Sequence, residues 1–175
     1  MRLELEKLPE SGLWEYQYAA GDLDLNQDNV IVCGAIEMSG QIWRKINETH
    51  LAGQLTAAVE AECDRCLEPV PFTLNPTFKG IYVTLEKYAA SRQEDLSLAD
   101  LEFLVYDGAA IDLDELARGE ILLALPEHIL CRANCQGLCQ QCGANRNQTT
   151  CACAEKSIDP RWAALKQLTA ENLEN

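Results

Sequence analysis

The chain has 175 residues, 14 Lys/Arg against 28 Asp/Glu and a formal net charge of −14, with 47% apolar and 24% charged residues. This is the balance of a globular chain with one core and a small appendage, and it excludes disorder as the main state. The longest apolar run, Ile121 to Pro126, is far below the ~20 residues of a membrane span, and Met1 to Pro9 mixes charges with leucines, so a cytoplasmic location is expected.

The first elements read as strands. Val30 to Met38 and Gln41 to Ile46 flank Ser39-Gly40, which is expected to form a hairpin turn, and Cys33 in the first run is expected to be a small buried hydrophobe. From His50 to Cys63, Leu51, Gly53, Leu55, Ala57, Val59, Ala61 and Cys63 alternate with positions that include Gln54, Thr56, Glu60 and Glu62. Such alternation buries one face and wets the other, the pattern of an antiparallel strand. Phe72 to Leu74 and Phe78 to Leu85 are further partners, and Glu102 to Tyr106 a last strand beyond an acidic stretch. Asp112, with Glu115 three residues on, predicts a helix N-cap, and Leu116, Ile121, Leu122 and Leu125 carry the helix to Pro126. After residue 126 the chain is rich in Cys, Gly, Asn and Gln and too polar for a core of its own. Asp159-Pro160 predicts the start of a closing helix with Trp162, Leu165 and Leu168 on one face. The expected class is α+β: a twisted antiparallel sheet or partial barrel over residues 1–126, with one or two covering helices, and a Cys-rich metal-binding tail over 127–175.

Nine cysteines in a reducing compartment point to metal binding or redox chemistry rather than to disulfides. Cys63-Asp64-Arg65-Cys66 ends the best strand and can aim two sulfurs at one ion. Cys131, Cys135, Cys139, Cys142, Cys151 and Cys153 follow within 23 residues, and Gly137 to Gly143 has the form of a zinc knuckle. The expected ligand set is Cys139, Cys142, Cys151 and Cys153. Spacing leaves Cys131 and Cys135 free to replace either pair or to work with Cys63 and Cys66. Four thiolates close the coordination sphere, so the expected cofactor is a structural zinc; an iron–sulfur cluster would use the same ligand type. A redox pair at Cys63 and Cys66, or a switch that releases zinc on oxidation, is the competing reading.

No phosphate-binding glycine loop or metalloprotease His-Glu pair is present, and an enzyme is not expected. Residues 1–131 hold 9 Lys/Arg against 24 Asp/Glu, a net of −15, whereas 132–175 hold 5 against 4, a net of +1. An acidic body repels phosphate backbones and favours a basic protein partner; the same acidity aids solubility. Arg132, Arg146, Lys156, Arg161 and Lys166 can offer only a local phosphate contact near Trp162.

Four segments, in order and spacing, resemble one family: Cys63-Asp64-Arg65-Cys66-Leu67-Glu68-Pro69; Ile111-Asp112-Leu113 leading to Glu120-Ile121-Leu122-Leu123-Ala124-Leu125-Pro126; Gly137-Leu138-Cys139 to Gly143-Ala144-Asn145; and Asp159-Pro160-Arg161-Trp162-Ala163-Ala164-Leu165. From about Val30 to Leu168 the chain resembles the YceD family of large ribosomal RNA subunit accumulation proteins. The resemblance implies a bacterial, non-catalytic factor in 23S ribosomal RNA accumulation or processing and large-subunit assembly. The implied partner is a ribosomal protein or a precursor of the large subunit. The motif positions it carries over are Cys63, Arg65, Cys66, Glu120, Pro126, Asp159 and Trp162, and no catalytic residue comes with them. Arg65, Asp159, Arg161 and Trp162 are the candidate partner-binding residues.

Overall fold

The computed structural model describes residues 2–5, 9–46, 48–91, 103–153 and 161. Its centre is a long strand, β4 (Glu48–Glu62), whose inward side chains Leu51, Leu55, Ala57, Val59 and Ala61 are buried. On one side lies β3 (Val30–Lys45), antiparallel to it, and β2 (Ser11–Tyr18) continues the sheet beyond β3. On the other side β5 (Pro69–Leu74) pairs with the second half of β4 and β6 (Thr77–Thr84) with the first half. β4 with β5 and β6 is therefore one long hairpin, its returning arm broken at Asn75-Pro76, where proline cannot donate to the ladder. Leu55 N–H donates to the Pro76 carbonyl at 2.9 Å across that break.

The order β2-β3-β4-β6-β7, with β7 (Phe103–Tyr106) parallel to β6, makes the sheet mixed and open, not closed into a barrel. A separate two-stranded ladder joins β1 (Arg2–Glu4) to β8 (Ala110–Asp112). A short helix, α1 (Leu85–Ser91), follows β6, and α2 (Leu113–Ala124) follows β8. Asp112 caps α2 by accepting from the N–H groups of Asp114 and Glu115, and the helix stops before Pro126, both as the sequence predicts. Leu113, Ala117 and Ile121, spaced four apart, form its buried face against the sheet core. Tyr18 at the end of β2 donates to Asp114 Oδ1 at 2.8 Å, and burial with that bond holds its phenol well above the ordinary value. No helix among the described residues is long and apolar enough to cross a membrane.

Two local expectations are overturned. Ser39-Gly40 is not a turn: β3 runs through it, and Gly40 sits opposite Gly53 of β4. A Cβ on Gly40 would stand 2.3 Å from the Ala52 carbonyl oxygen, and one on Gly53 would stand 2.8 Å from Phe78 Cζ. The pair is needed for close strand approach, a use of glycine that looks like a turn signal in sequence. Cys33 is exposed, not buried. The even-numbered residues Val30, Ile36, Met38 and Ile42 carry the inward face, so Cys33 falls with Ile31 and Glu37 on the outer one, beside a register shift between Val32 and Ile36. β2 was not expected, although Trp14 and Tyr18 alternate with Glu15 and Gln17 there. The closing helix expected from Asp159 lies outside the described residues.

Candidate metal centres

The tip of the long hairpin is Cys63 to Glu68. Cys63 N–H donates to the Glu68 carbonyl and Leu67 N–H to the Cys63 carbonyl, both at 2.9 Å, and Leu67 takes a φ of +61°. The tail repeats this turn at Cys139 to Ala144. Cys139 N–H donates to the Ala144 carbonyl at 2.8 Å, Gly143 N–H to the Cys139 carbonyl at 2.9 Å, and Gly143 has a φ of +73°. In both turns the first cysteine accepts, at sulfur, from the backbone N–H groups two and three residues on: Arg65 and Cys66 in one, Gln141 and Cys142 in the other. The two Cys-x-x-Cys segments are thus the same knuckle, built twice.

Each knuckle is completed by another cysteine pair. Cys63 and Cys66 meet Cys131 and Cys135, while Cys139 and Cys142 meet Cys151 and Cys153; within each group the sulfurs lie within 4.8 Å of one another. Either group can hold one metal ion. The first group is buried apart from Cys131, which is half-buried, and packs with Val70, Leu130 and Leu138. In the second, Cys142 is exposed and the other three are half-buried.

The donor geometry fits a single tetrahedral ion. Sulfur–metal bonds of about 2.3 Å put the corners of a tetrahedron about 3.8 Å apart. Cys63 and Cys135 sulfurs are 3.9 Å apart, and those of Cys66 and Cys131 are 3.6 Å apart, well beyond a disulfide bond. Backbone and amide donors orient these sulfurs: Cys131 N–H lies 3.3 Å from Cys63 Sγ and Asn147 Nδ2 3.2 Å from Cys135 Sγ. Such outer hydrogen bonds favour thiolate and fix its direction.

The thiol acidities divide accordingly. Burial opposes ionisation of Cys63, but the N–H groups of Cys131, Arg65 and Cys66 outweigh it and bring the thiol down to about 6. Cys139 is also lowered to about 6, chiefly by the N–H groups of Cys142 and Gln141. Cys135 is lowered mainly by Asn147. Cys131 is pushed up to about 12 by burial and the neighbouring sulfurs, and Cys153 to about 12 by Cys142 first and burial second. Four negative sulfurs at this separation repel one another, and a dication removes that repulsion.

The tail is held against the hairpin tip. Asp64 N–H donates to the Ile129 carbonyl at 2.8 Å, Ile129 N–H to Asp64 Oδ2 at 2.8 Å, and Leu138 N–H to the Arg65 carbonyl at 3.0 Å. Arg65 Nη1 donates to the Cys135 carbonyl at 3.0 Å, and Gln148 bonds the Glu68 carboxylate. Gly137, at a φ of +68°, is required here, since a Cβ would come within 2.9 Å of the Arg65 carbonyl. Arg65 is thus engaged with the tail while its residue surface stays exposed. Arg161 is also exposed, and Asp159 and Trp162 lie outside the described residues. Sequence reasoning gave no role to Asn147, which bears no motif, or to Asp64, which lies inside the first Cys-x-x-Cys; their roles depend on contacts far along the chain.

The structure thus joins an open mixed sheet, through its hairpin tip, to a tail with two four-cysteine groups, each able to hold a metal ion. Comparison with known proteins makes this more specific. The family model "Large ribosomal RNA subunit accumulation protein YceD" matches residues 51–169, and the chain belongs to that family. It is 30% identical to an uncharacterised protein of Mycobacterium tuberculosis over 118 residues, 67% of this chain and 54% of the relative. It is also 30% identical to one of Mycobacterium leprae, over 70% of this chain and 54% of the relative. The chloroplastic large ribosomal RNA subunit accumulation protein YCED homolog 1 of maize is 26% identical, over 79% of this chain and 57% of the relative. The chain therefore spans a little over half the length of these relatives. No solved structure matches it.

Proposed function

We propose that this protein is a non-catalytic, cytoplasmic factor that promotes accumulation of the large-subunit ribosomal RNA by binding a basic ribosomal protein or an early large-subunit particle. The match to the YceD family model over residues 51–169, which takes in both cysteine centres and α2, is the observation that carries this reading. The charge distribution agrees with a basic partner. A groove of about 550 Å³ between β7 and α2 combines the exposed apolar Leu104, Val105 and Leu123 with Glu115 and Glu120, while Asp107 on its rim is paired with Arg2 at 2.8 Å. Apolar contacts rimmed by carboxylates suit a segment that interleaves Lys or Arg with aliphatic residues. Glu120, raised above the ordinary carboxylate value by burial, would be ionised more fully by an approaching cation. The tail knuckle at Cys139, Cys142, Cys151 and Cys153 holds a structural zinc in this reading, because four soft sulfur donors within 4.8 Å of one another suit that ion.

The test is a strain depleted of the protein, with mature and precursor 23S ribosomal RNA measured against 16S. The reading predicts a selective fall in mature 23S and in large subunits, restored by the wild-type chain and poorly by Glu115→Lys/Glu120→Lys. Unchanged 23S in the depleted strain under several growth conditions contradicts it.

A further inference from the structure

The geometry points to a second, permanently occupied zinc site at Cys63, Cys66, Cys131 and Cys135, whose role is to clamp the tail onto the sheet, so that the folded chain carries two ions. The site differs from the tail knuckle in what it joins. Cys139, Cys142, Cys151 and Cys153 span a 15-residue stretch and tie the tail only to itself. Cys63 and Cys66 belong to the β4–β5 turn, whereas Cys131 and Cys135 come from beyond α2, 65 or more residues later.

Three observations carry the assignment. The hairpin tip has the same knuckle as the tail, down to the two N–H groups aimed at the first sulfur, although Leu67 stands where glycine takes the positive φ in the tail. A backbone held in that form by a non-glycine residue implies a compensating interaction, which four sulfur–metal bonds supply. The inter-sulfur distances of 3.9 and 3.6 Å are those of a tetrahedral edge, and the shell around them is built: Cys131 N–H and the Asn147 amide point at sulfur. Finally, among the described residues of the tail, Ile129 packs beside the sheet core and Leu130, Cys131 and Leu138 beside the buried Cys135, a small apolar contact for a segment of this length. A small apolar contact and a few hydrogen bonds hold such a segment weakly, whereas an ion shared between tail and sheet holds it through a cooperative site. Zinc is favoured over a multi-iron cluster because all four sulfurs fit round one ion. The clamp rests on the proposed zinc chemistry but not on occupancy of the tail knuckle.

Metal content of the full chain, prepared in reductant with zinc supplied, tests this directly. Two zinc ions per chain are expected, one remaining in Cys139→Ser/Cys142→Ser and one in Cys63→Ser/Cys66→Ser. Cobalt substitution should give the intense visible bands of tetrahedral four-thiolate coordination in both variants. Limited proteolysis should cut the Cys63→Ser/Cys66→Ser chain between Pro126 and Cys131 at least tenfold faster than wild type, leaving Cys139→Ser/Cys142→Ser resistant there. A single ion per wild-type chain, lost with the Cys139/Cys142 change, overturns the clamp. A single ion kept in that variant and lost with Cys63/Cys66 sustains the clamp and removes the tail zinc instead. Should the Cys63/Cys66 variant fail to fold, the Cys139→Ser/Cys142→Ser chain still decides: one ion retained there sits in the clamp, and none retained overturns it.

Discussion

At the hairpin tip, Cys63, Cys66 and Cys135 expose no more than 4% of their surface, whereas in the tail Cys142 is exposed and Cys139, Cys151 and Cys153 are half-buried. The backbone of the two knuckles is nevertheless the same, and N–H groups two and three residues on help to lower the first thiol of each to about 6, joined at Cys63 by the N–H of Cys131. Local sequence builds the knuckle; its surroundings decide what the knuckle does. One surrounded by two distant parts of the chain can fasten them, and one surrounded by solvent can only stiffen its own loop. Neither is placed like a redox pair at the start of a helix, since Cys63 directly follows β4.

The largest expected separation between the two is in metal removal. Structural zinc in small domains contributes about 10–16 kcal/mol of apparent binding energy near neutral pH, and ligand protonation opposes it, so metal is lost as pH falls. Under a strong chelator the solvent-exposed tail centre should release its ion first, with the buried centre following only as residues 127–138 become exchangeable in amide hydrogen exchange. Simultaneous release with no lag would erase the distinction drawn from burial.

A next test separates the centres from the sheet that supports one of them. Gly40→Ala forces a Cβ into the Ala52 carbonyl and should destabilise the sheet by about 1–3 kcal/mol in denaturant unfolding. It should leave zinc content per folded chain unchanged, because Gly40 lies at mid-strand on β3, far along the ladder from the tip. Smaller still is the exchange of the two positive-φ residues. Gly143→Leu should cost about 1–2 kcal/mol of tail stability, read as earlier metal loss, while Leu67→Gly should be neutral or stabilising. Equal losses at both positions would mean that Leu67 stabilises through a contact other than its backbone.

The smallest effect lies away from both centres. The Lys87 ammonium hydrogen bond holds the Glu48 carboxyl below its ordinary value despite partial burial, with His50 adding to it at 3.1 Å. A lowered carboxylate contributes stability that is present above the unfolded value and lost as pH falls through the folded one. Glu48→Gln should therefore flatten the acid side of the stability profile by under about 1 kcal/mol while metal content follows its own, thiolate-governed pH dependence.

Much of this organisation was legible in the sequence, and the exceptions have physical causes. Alternation marked β4 because one of its faces is buried along the whole strand, and Asp112 with Glu115 marked the start of α2 because capping is local. Gly40 misled, since close strand approach and turning both ask for a missing side chain, whereas Gly53 was read in its strand. The cysteines announced metal chemistry by spacing, yet spacing could not say that Cys131 and Cys135 turn back to Cys63 and Cys66. That choice is made by contacts such as Asp64 to Ile129, Arg65 to Leu138 and Asn147 to Cys135, which no local pattern encodes.

Zinc-edge X-ray absorption on the loaded full-length chain tests the central claim, that both centres are closed mononuclear four-sulfur sites. The account predicts a first shell of sulfur alone, four per zinc at about 2.3 Å, with no nitrogen or oxygen. A light-atom ligand at about 2.0–2.1 Å in a substantial fraction of the zinc, the mark of an open or differently built site, would contradict it.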